Sequence, residues 1–121
     1  MKRAPTALQA GPAQAGGPVV VVYSLRTVRP YRKSMWHAVS GELDRKAHTL
    51  AARLGGRLTS SSTGTVAGTR ARQYLFEYGA KRARIAFLFR GRREYELYCS
   101  WKASDGEPAA CGLLLTSFRL A

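Results

Sequence analysis

The two cysteines, Cys99 and Cys111, are the residues whose position most directly predicts chemistry. Cys99 lies on the apolar side of a segment that alternates between apolar and polar residues, and Cys111 lies on the apolar stripe of a short predicted helix. Both thiols therefore face the same interface, twelve positions apart in sequence. A disulfide between them would stabilise a small domain by about 3 kcal/mol and would imply an oxidising compartment. The alternative is two buried free thiols that behave as small hydrophobic side chains.

The histidines and acidic residues do not form the pattern of a metal site or an active site. His37 and His48 lie on one predicted helix, about 16 Å apart along its axis, too far to share a metal ion. Glu94 and Glu96 are neighbours on one strand face and are flanked by arginines, which indicates local charge balance. No zinc-type cysteine spacing, nucleophile elbow, phosphate-binding loop or dinucleotide fingerprint is present. The sequence therefore predicts no metal, no cofactor and no enzymatic activity.

The net charge of +13, from 20 basic and 7 acidic residues, predicts attraction to polyanions. An arginine-rich chain that is also rich in alanine and glycine can equally arise from a GC-rich genome, so the sequence leaves open whether the charge is functional. The predicted partner is an acidic protein or an anionic surface. The candidate binding residues are the cations of one predicted hairpin, namely Lys81, Arg82, Arg84, Arg90, Arg92 and Arg93.

A nucleic acid is the alternative partner, bound by the same hairpin together with Arg70 and Arg72. The predicted order of helix, three strands and helix is also that of a double-stranded-RNA-binding domain. Such domains carry a lysine cluster at the start of the second helix, where this chain has an acidic and uncharged segment, residues 106–110. The octamer typical of RNA-recognition domains is missing as well, so nucleic acid is the less favoured partner. A small ligand held between the long helix and the sheet is a third possibility.

The elements that position these residues begin with a β-branched run, residues 19–23, which predicts a buried strand. Ser34 is predicted as the N-cap of a long helix that ends at Leu54, where Gly55 and Gly56 stop it. The apolar stripe of that helix recurs at spacings of three and four, through Trp36, Val39, Leu43, Ala47, Leu50 and Leu54.

After this helix the chain alternates as strands do. Residues 57–66 and 69–78 predict strands, and short turns at residues 79–81 and at Gly91 predict hairpin-linked antiparallel strands with one dry face. Residues 104–107 fit a capping box before a final short helix. The apolar stripe of this helix contains Cys111, Leu114, Leu115 and Phe118.

We therefore predict an α+β domain, in which an antiparallel sheet of about four strands packs against one long helix and one short C-terminal helix, in the order β-α-β-β-β-α. Residues 1–17 are predicted to be a flexible leader, and residues 18–121 a single domain. We expect no signal peptide and no transmembrane segment, and whether Met1 is the natural start stays open. The predicted core consists of Val20, Val22, Trp36, Val39, Leu43, Leu50, Ile85, Phe87, Leu97, Trp101, Leu114 and Phe118.

The order of elements from residue 19 onward resembles the PsbP-like fold family, which includes the extrinsic PsbP protein of photosystem II, a yeast Ran-GTPase-binding protein and many exported bacterial lipoproteins. The matching segments are residues 19–23, the helix 34–54, the strand after Gly56 and the closing segment 95–118. The resemblance implies a non-enzymatic binding or accessory domain of a bacterial exported or envelope-associated protein, in a group whose exported members often carry such a cysteine pair. The family begins with a further hairpin that the polar leader does not predict. Either the start of the chain is truncated or the sheet is smaller than in the family, and the open edge of a smaller sheet would favour a homodimer.

Overall fold

An antiparallel sheet forms the middle layer of the molecule in the computed structural model, which describes residues 6–9 and 18–118. The helices α1 and α2 pack on its two faces. Single turns of 3-10 helix, Lys33–Met35 and Ala103–Asp105, precede the two helices. The elements in chain order are β1 (Thr6–Gln9), β2 (Val19–Arg26), α1 (Trp36–Arg53), β3 (Arg57–Val66), β4 (Thr69–Tyr78), β5 (Lys81–Arg90), β6 (Arg93–Lys102) and α2 (Ala109–Ser117).

The strand order across the sheet is β1-β2-β6-β5-β4-β3, and every neighbouring pair is antiparallel. Five strands contain eight to ten residues, and β1 is a four-residue strand at one edge. The predicted α+β class is confirmed, whereas the predicted number of strands is too low. The short β1 lies inside the segment predicted to be a flexible leader, whereas β3 spans the residues predicted for it, 57–66.

The prediction of one dry face is wrong, because the sheet is dry on both faces. The register pairs Phe87 with Glu96 and Ala86 with Leu97, so the apolar rows of β5 and β6 lie on opposite faces. Phe87 packs in the core below α1, together with Leu43. Leu97 and Ala86 belong to the core on the α2 face. The register across the β5–β6 turn decides this arrangement, and alternation within each strand does not reveal it.

The N-cap of the long helix lies one residue later than predicted. Ser34 lies inside the preceding 3-10 turn, and the helix N-cap is Met35, with no side-chain hydrogen bond. The buried residues of α1 are Leu43, Ala47 and Ala51, while Leu54 is exposed. Of the predicted core, Val20, Val22, Leu43, Ile85, Phe87, Leu97 and Trp101 are buried, whereas Trp36, Val39, Leu50, Leu114 and Phe118 are partly buried.

The predicted capping box before α2 does not form. Gly106 has a positive φ of 71°, and the N-cap of α2 is Pro108, which offers no side-chain cap. The Glu107 carboxylate instead accepts hydrogen bonds from Arg84, at 2.8 and 3.2 Å. An ion pair with β5 has therefore replaced the reciprocal cap.

The two outer strands of the described sheet are β1 and β3. β1 pairs with only the middle of β2, and β3 offers its full ten-residue length along the opposite edge. The homodimer through an open edge stays a prediction, with β3 as the longer edge available to it. Within the described residues, neither helix has the length and apolar content that a membrane span requires.

Candidate anion-binding site

The cysteines form a disulfide that ties α2 to β6. The Cα atoms of Cys99 and Cys111 are 5.6 Å apart, and both side chains are buried. Val20 and Trp101 pack around them on the α2 face of the sheet. The predicted pairing is therefore present, and it lies between the apolar side of β6 and the apolar side of α2, as the sequence pattern predicts.

The six cations of the predicted hairpin site do not form one surface. They divide between the two ends of β5, a ten-residue strand that measures about 30 Å from end to end. The first group, near the β4–β5 turn, contains Lys81, Arg82 and Arg84, and the second group, near the β5–β6 turn, contains Arg90, Arg92 and Arg93.

Acidic neighbours partly neutralise the first group. Arg82 lies 3.5 Å from the carboxylate of Glu77, and Arg84 binds Glu107 through two hydrogen bonds. A cation whose charge is matched at close range contributes little to the field that a distant anion feels. The β4–β5 end is therefore the weaker half of the predicted site.

The second group belongs to a larger basic surface built by three segments of the chain. The backbone N–H of Thr27 donates to the Arg92 carbonyl at 2.9 Å, and that of Tyr31 donates to the Gly91 carbonyl at 2.6 Å. These bonds hold the connection after β2 against the β5–β6 turn, and the β3–β4 turn lies at the same end of the sheet. We call residues 26–33, 67–70 and 90–93 the basic end. The basic end contains eight basic residues and no acidic residue, the basic ones being Arg26, Arg29, Arg32, Lys33, Arg70, Arg90, Arg92 and Arg93.

The predicted binding residues include only half of the cations of the basic end. Arg90, Arg92 and Arg93 are among the predicted binding residues and Arg70 belongs to the nucleic-acid alternative, whereas the four cations of residues 26–33 are in neither prediction. In an antiparallel sheet, every second connection between strands lies at the same end of the sheet. A correct strand order would therefore have predicted that these three segments lie together.

A cleft of about 440 Å³ lies within the basic end. We call it the basic cleft. Tyr31 stacks on Phe89 with ring centroids 5.4 Å apart. Arg70 lies over the ring of Trp36, at 5.3 Å from the ring centroid. The lining of the cleft consists of Tyr31, Lys33, Gly68, Thr69, Arg70, Phe89, Arg90 and Gly91.

A larger groove of about 730 Å³ lies between the first half of α1, the connection after β2 and the sheet, and it shares Tyr31 and Phe89 with the basic cleft. Its charged lining residues are of both signs, namely Arg29, Glu42, Lys46 and Glu94. This mixture favours no particular ligand charge. The basic cleft, with three cations and no acid in its lining, is the more selective of the two cavities.

A polar network beside the groove is structural. The Asp44 carboxylate accepts hydrogen bonds from Arg72, at 3.0 and 3.4 Å, and from the Tyr74 hydroxyl. Burial alone would raise the pKa of Asp44, but the bonds from Tyr74 and Arg72 outweigh it and lower that pKa below its usual value. Burial and the bond to Asp44 raise the pKa of Tyr74. Arg72 is therefore engaged in fastening α1 to β4 and is not available as a polyanion ligand.

A second tyrosine gives an alkaline prediction. Burial, and then the 3.2 Å hydrogen bond with Tyr98, raise the pKa of Tyr78 to about 12. The unfolded chain ionises this hydroxyl near its ordinary value of about 10, while the folded chain keeps it neutral. This group therefore costs the folded state nothing below a pH of about 10 and destabilises it progressively as the pH rises from there toward about 12. Denaturant unfolding between these values should show a steeper loss for the wild type than for Tyr78→Phe, and identical pH slopes would contradict the assignment.

The described residues contain no group of three or more His, Cys, Asp or Glu side chains that could hold a metal ion. Comparisons of the chain with protein-family models, with curated proteins and with solved structures found no match.

Proposed function

We propose that this protein is a non-enzymatic binding module that engages an acidic protein or an anionic surface through its basic end. The observation that carries the proposal is the gathering of eight cations at one end of the sheet, in three segments, residues 26–33, 67–70 and 90–93, that contain no acidic residue. Arg93 lies opposite Arg26 on β2 and opposite Arg90 on β5, so like charges are cross-strand neighbours. Such neighbours cost stability, and an anionic partner removes that cost on binding.

We further propose that the domain is PsbP-like and that it acts in the bacterial cell envelope or outside the cell. The Cys99–Cys111 disulfide supports an oxidising compartment, because such bonds persist mainly in exported proteins. The antiparallel pairing of β1 with β2 supports the family resemblance, since it supplies a strand where the family has its first hairpin.

A nucleic acid is the less favoured partner of the same surface. Modules that read single strands stack bases on exposed aromatic side chains of a sheet. Phe87 and Phe89, the aromatic residues of the predicted basic hairpin, are only 4% and 8% exposed, because α1 covers that face. The disulfide also argues against an intracellular partner.

The test is binding of the whole protein to a polyglutamate peptide, to vesicles of phosphatidylglycerol and to single-stranded RNA, each at low and high salt. The variant Arg26→Gln/Arg29→Gln/Arg93→Gln changes the rim of the basic end and leaves the basic cleft intact. We expect it to bind the peptide about tenfold more weakly, because each exposed charge pair contributes up to about 1 kcal/mol. Rising salt should weaken wild-type binding through screening.

The matched control is Arg53→Gln/Lys81→Gln/Lys102→Gln, which removes the same net charge from exposed positions away from the basic end. It should retain most of the wild-type affinity. An equal loss in both variants would mean that net charge alone determines binding, and the basic end would lose its assignment. Tighter binding of RNA than of peptide and vesicles would favour the nucleic-acid alternative.

A further inference from the structure

We propose that the basic cleft is a discrete site for a phosphomonoester group, and that it gives the basic end its chemical specificity. This inference rests on the proposed function, because it names the ligand class that the same end of the molecule selects. The ligand carries a terminal phosphate with two ionisable oxygens, either on a soluble molecule or on a lipid headgroup.

The charges of the cleft match a dianion better than a monoanion. Lys33, Arg70 and Arg90 line the cleft, and no acidic residue does. A phosphomonoester carries a charge of about −1.5 to −2 at neutral pH, whereas a carboxylate or a phosphodiester carries a single negative charge. Charge-assisted hydrogen bonds from guanidinium groups to phosphate are among the strongest polar contacts that proteins form.

Neighbouring contacts hold the cleft in shape before a ligand arrives. Arg70 is placed over the face of Trp36, a cation–π contact that restricts its side chain. Tyr31 is fixed twice, by its stacking on Phe89 and by its backbone hydrogen bond to Gly91. A cation that is already ordered loses less conformational entropy on binding, so affinity rises.

The turns of the cleft leave its mouth unobstructed. Gly68 and Gly91 both have positive φ, of 73° and 58°, and each lines the cleft without a side chain. Apart from each glycine and its chain neighbours, no heavy atom of the described residues lies within 4 Å of the position that a Cβ would occupy there. The volume of about 440 Å³ falls in the range of small-molecule sites, so it holds the phosphate and the group attached to it, with Tyr31 and Phe89 as the apolar wall.

The experiment is a calorimetric titration of the whole protein at neutral pH with phenyl phosphate, dimethyl phosphate and acetate. We expect the monoester to bind at least about tenfold more tightly than the diester or acetate, in proportion to its extra charge. The variant Arg70→Gln/Arg90→Gln should lose monoester binding. The control Arg53→Gln/Lys102→Gln, which removes the same charge, should keep it. Lys33→Gln is a further variant that removes one cation of the cleft. Lys33 lies in an exposed turn, so this change leaves the strands intact.

A second titration separates the two sources of the phosphate. Glycerol phosphate serves as the soluble probe, and vesicles of phosphatidic acid are compared with vesicles of phosphatidylglycerol, whose headgroup is a diester. A preference for phosphatidic acid vesicles that Arg70→Gln/Arg90→Gln abolishes would identify a lipid headgroup. Binding of glycerol phosphate without that preference would identify a soluble ligand.

Equal affinity for monoester and diester, or equal loss in the cleft and control variants, would overturn the inference. Absence of monoester binding would overturn it as well, even if the protein binds polyglutamate. The two proposals fail separately, because the rim variant of Arg26, Arg29 and Arg93 should bind polyglutamate about tenfold more weakly and keep monoester binding.

Discussion

Removal of the Cys99–Cys111 disulfide is expected to lower the free energy of unfolding by about 3 kcal/mol. The bond closes a short loop between β6 and α2 and so restricts the unfolded chain. A loss of this size is a large fraction of the net stability of a small domain, which is typically about 5–15 kcal/mol. The change is best made as Cys99→Ala/Cys111→Ala, which leaves no free thiol in the buried site.

Urea unfolding with and without reductant measures the effect. The wild type should lose stability on reduction, while the double variant should be insensitive to reductant and match the reduced wild type. Alkylation before reduction should label no thiol in the denatured wild type, and alkylation after reduction should label both. An unchanged urea midpoint on complete reduction would contradict the expected stabilisation, and labelling before reduction would show that the thiols are free.

Removal of the disulfide should change stability without changing the binding surface. Cys99 lies six residues along β6 from Arg93, a distance of about 20 Å along the strand. We therefore expect the double variant to bind the polyglutamate peptide as the wild type does under conditions where it remains folded. Its effect would then reach the function only through the population of unfolded protein.

The disulfide could be predicted from the sequence because each cysteine belongs to a strong local pattern. Cys99 lies on the apolar side of β6, and Cys111 lies on the apolar side of α2. When these two apolar surfaces pack against each other, both cysteines are buried in the same cluster. The end of α1 was predictable for a similar reason, since Gly55 has the positive φ, 70°, that stops a helix. The sequence therefore predicted those features whose residues form a pattern within a single helix or strand.

The basic end could not be predicted in the same way, because strand order assembles it. Residues 26–33, 67–70 and 90–93 are far apart in sequence and meet only in the folded sheet. The predicted hairpin site grouped Lys81 with Arg93, although the two predicted turns already place them at opposite ends of the strand that became β5. The end at which a strand residue lies depends on topology, which periodicity does not contain.

Substitution of Gly56 by alanine is the second change with a large expected effect, a loss of about 3 kcal/mol. A Cβ at this position would overlap the carbonyl oxygen of Glu77 and would lie 2.6 Å from the Cβ of Tyr78. Both atoms belong to β4, which is hydrogen-bonded on both sides and cannot move alone. The backbone N–H of Gly56 also donates to the Ala51 carbonyl at 3.0 Å, so the glycine is held from the helix side as well.

Gly55→Ala is the matched control, because it adds the same methyl group one residue earlier. At Gly55 no described residue other than its chain neighbours lies within 4 Å of the added Cβ, but its φ of 70° is one that alanine adopts at a cost of about 1 kcal/mol. From the sequence pattern alone, Gly55, the glycine that ends the helix in the left-handed conformation, would be expected to lose more stability on substitution by alanine than Gly56. The close approach of β4 reverses that order, so the urea midpoint should fall further for Gly56→Ala than for Gly55→Ala. If Gly55→Ala were the more damaging change, the junction between α1 and β3 would not pack against β4 in this way.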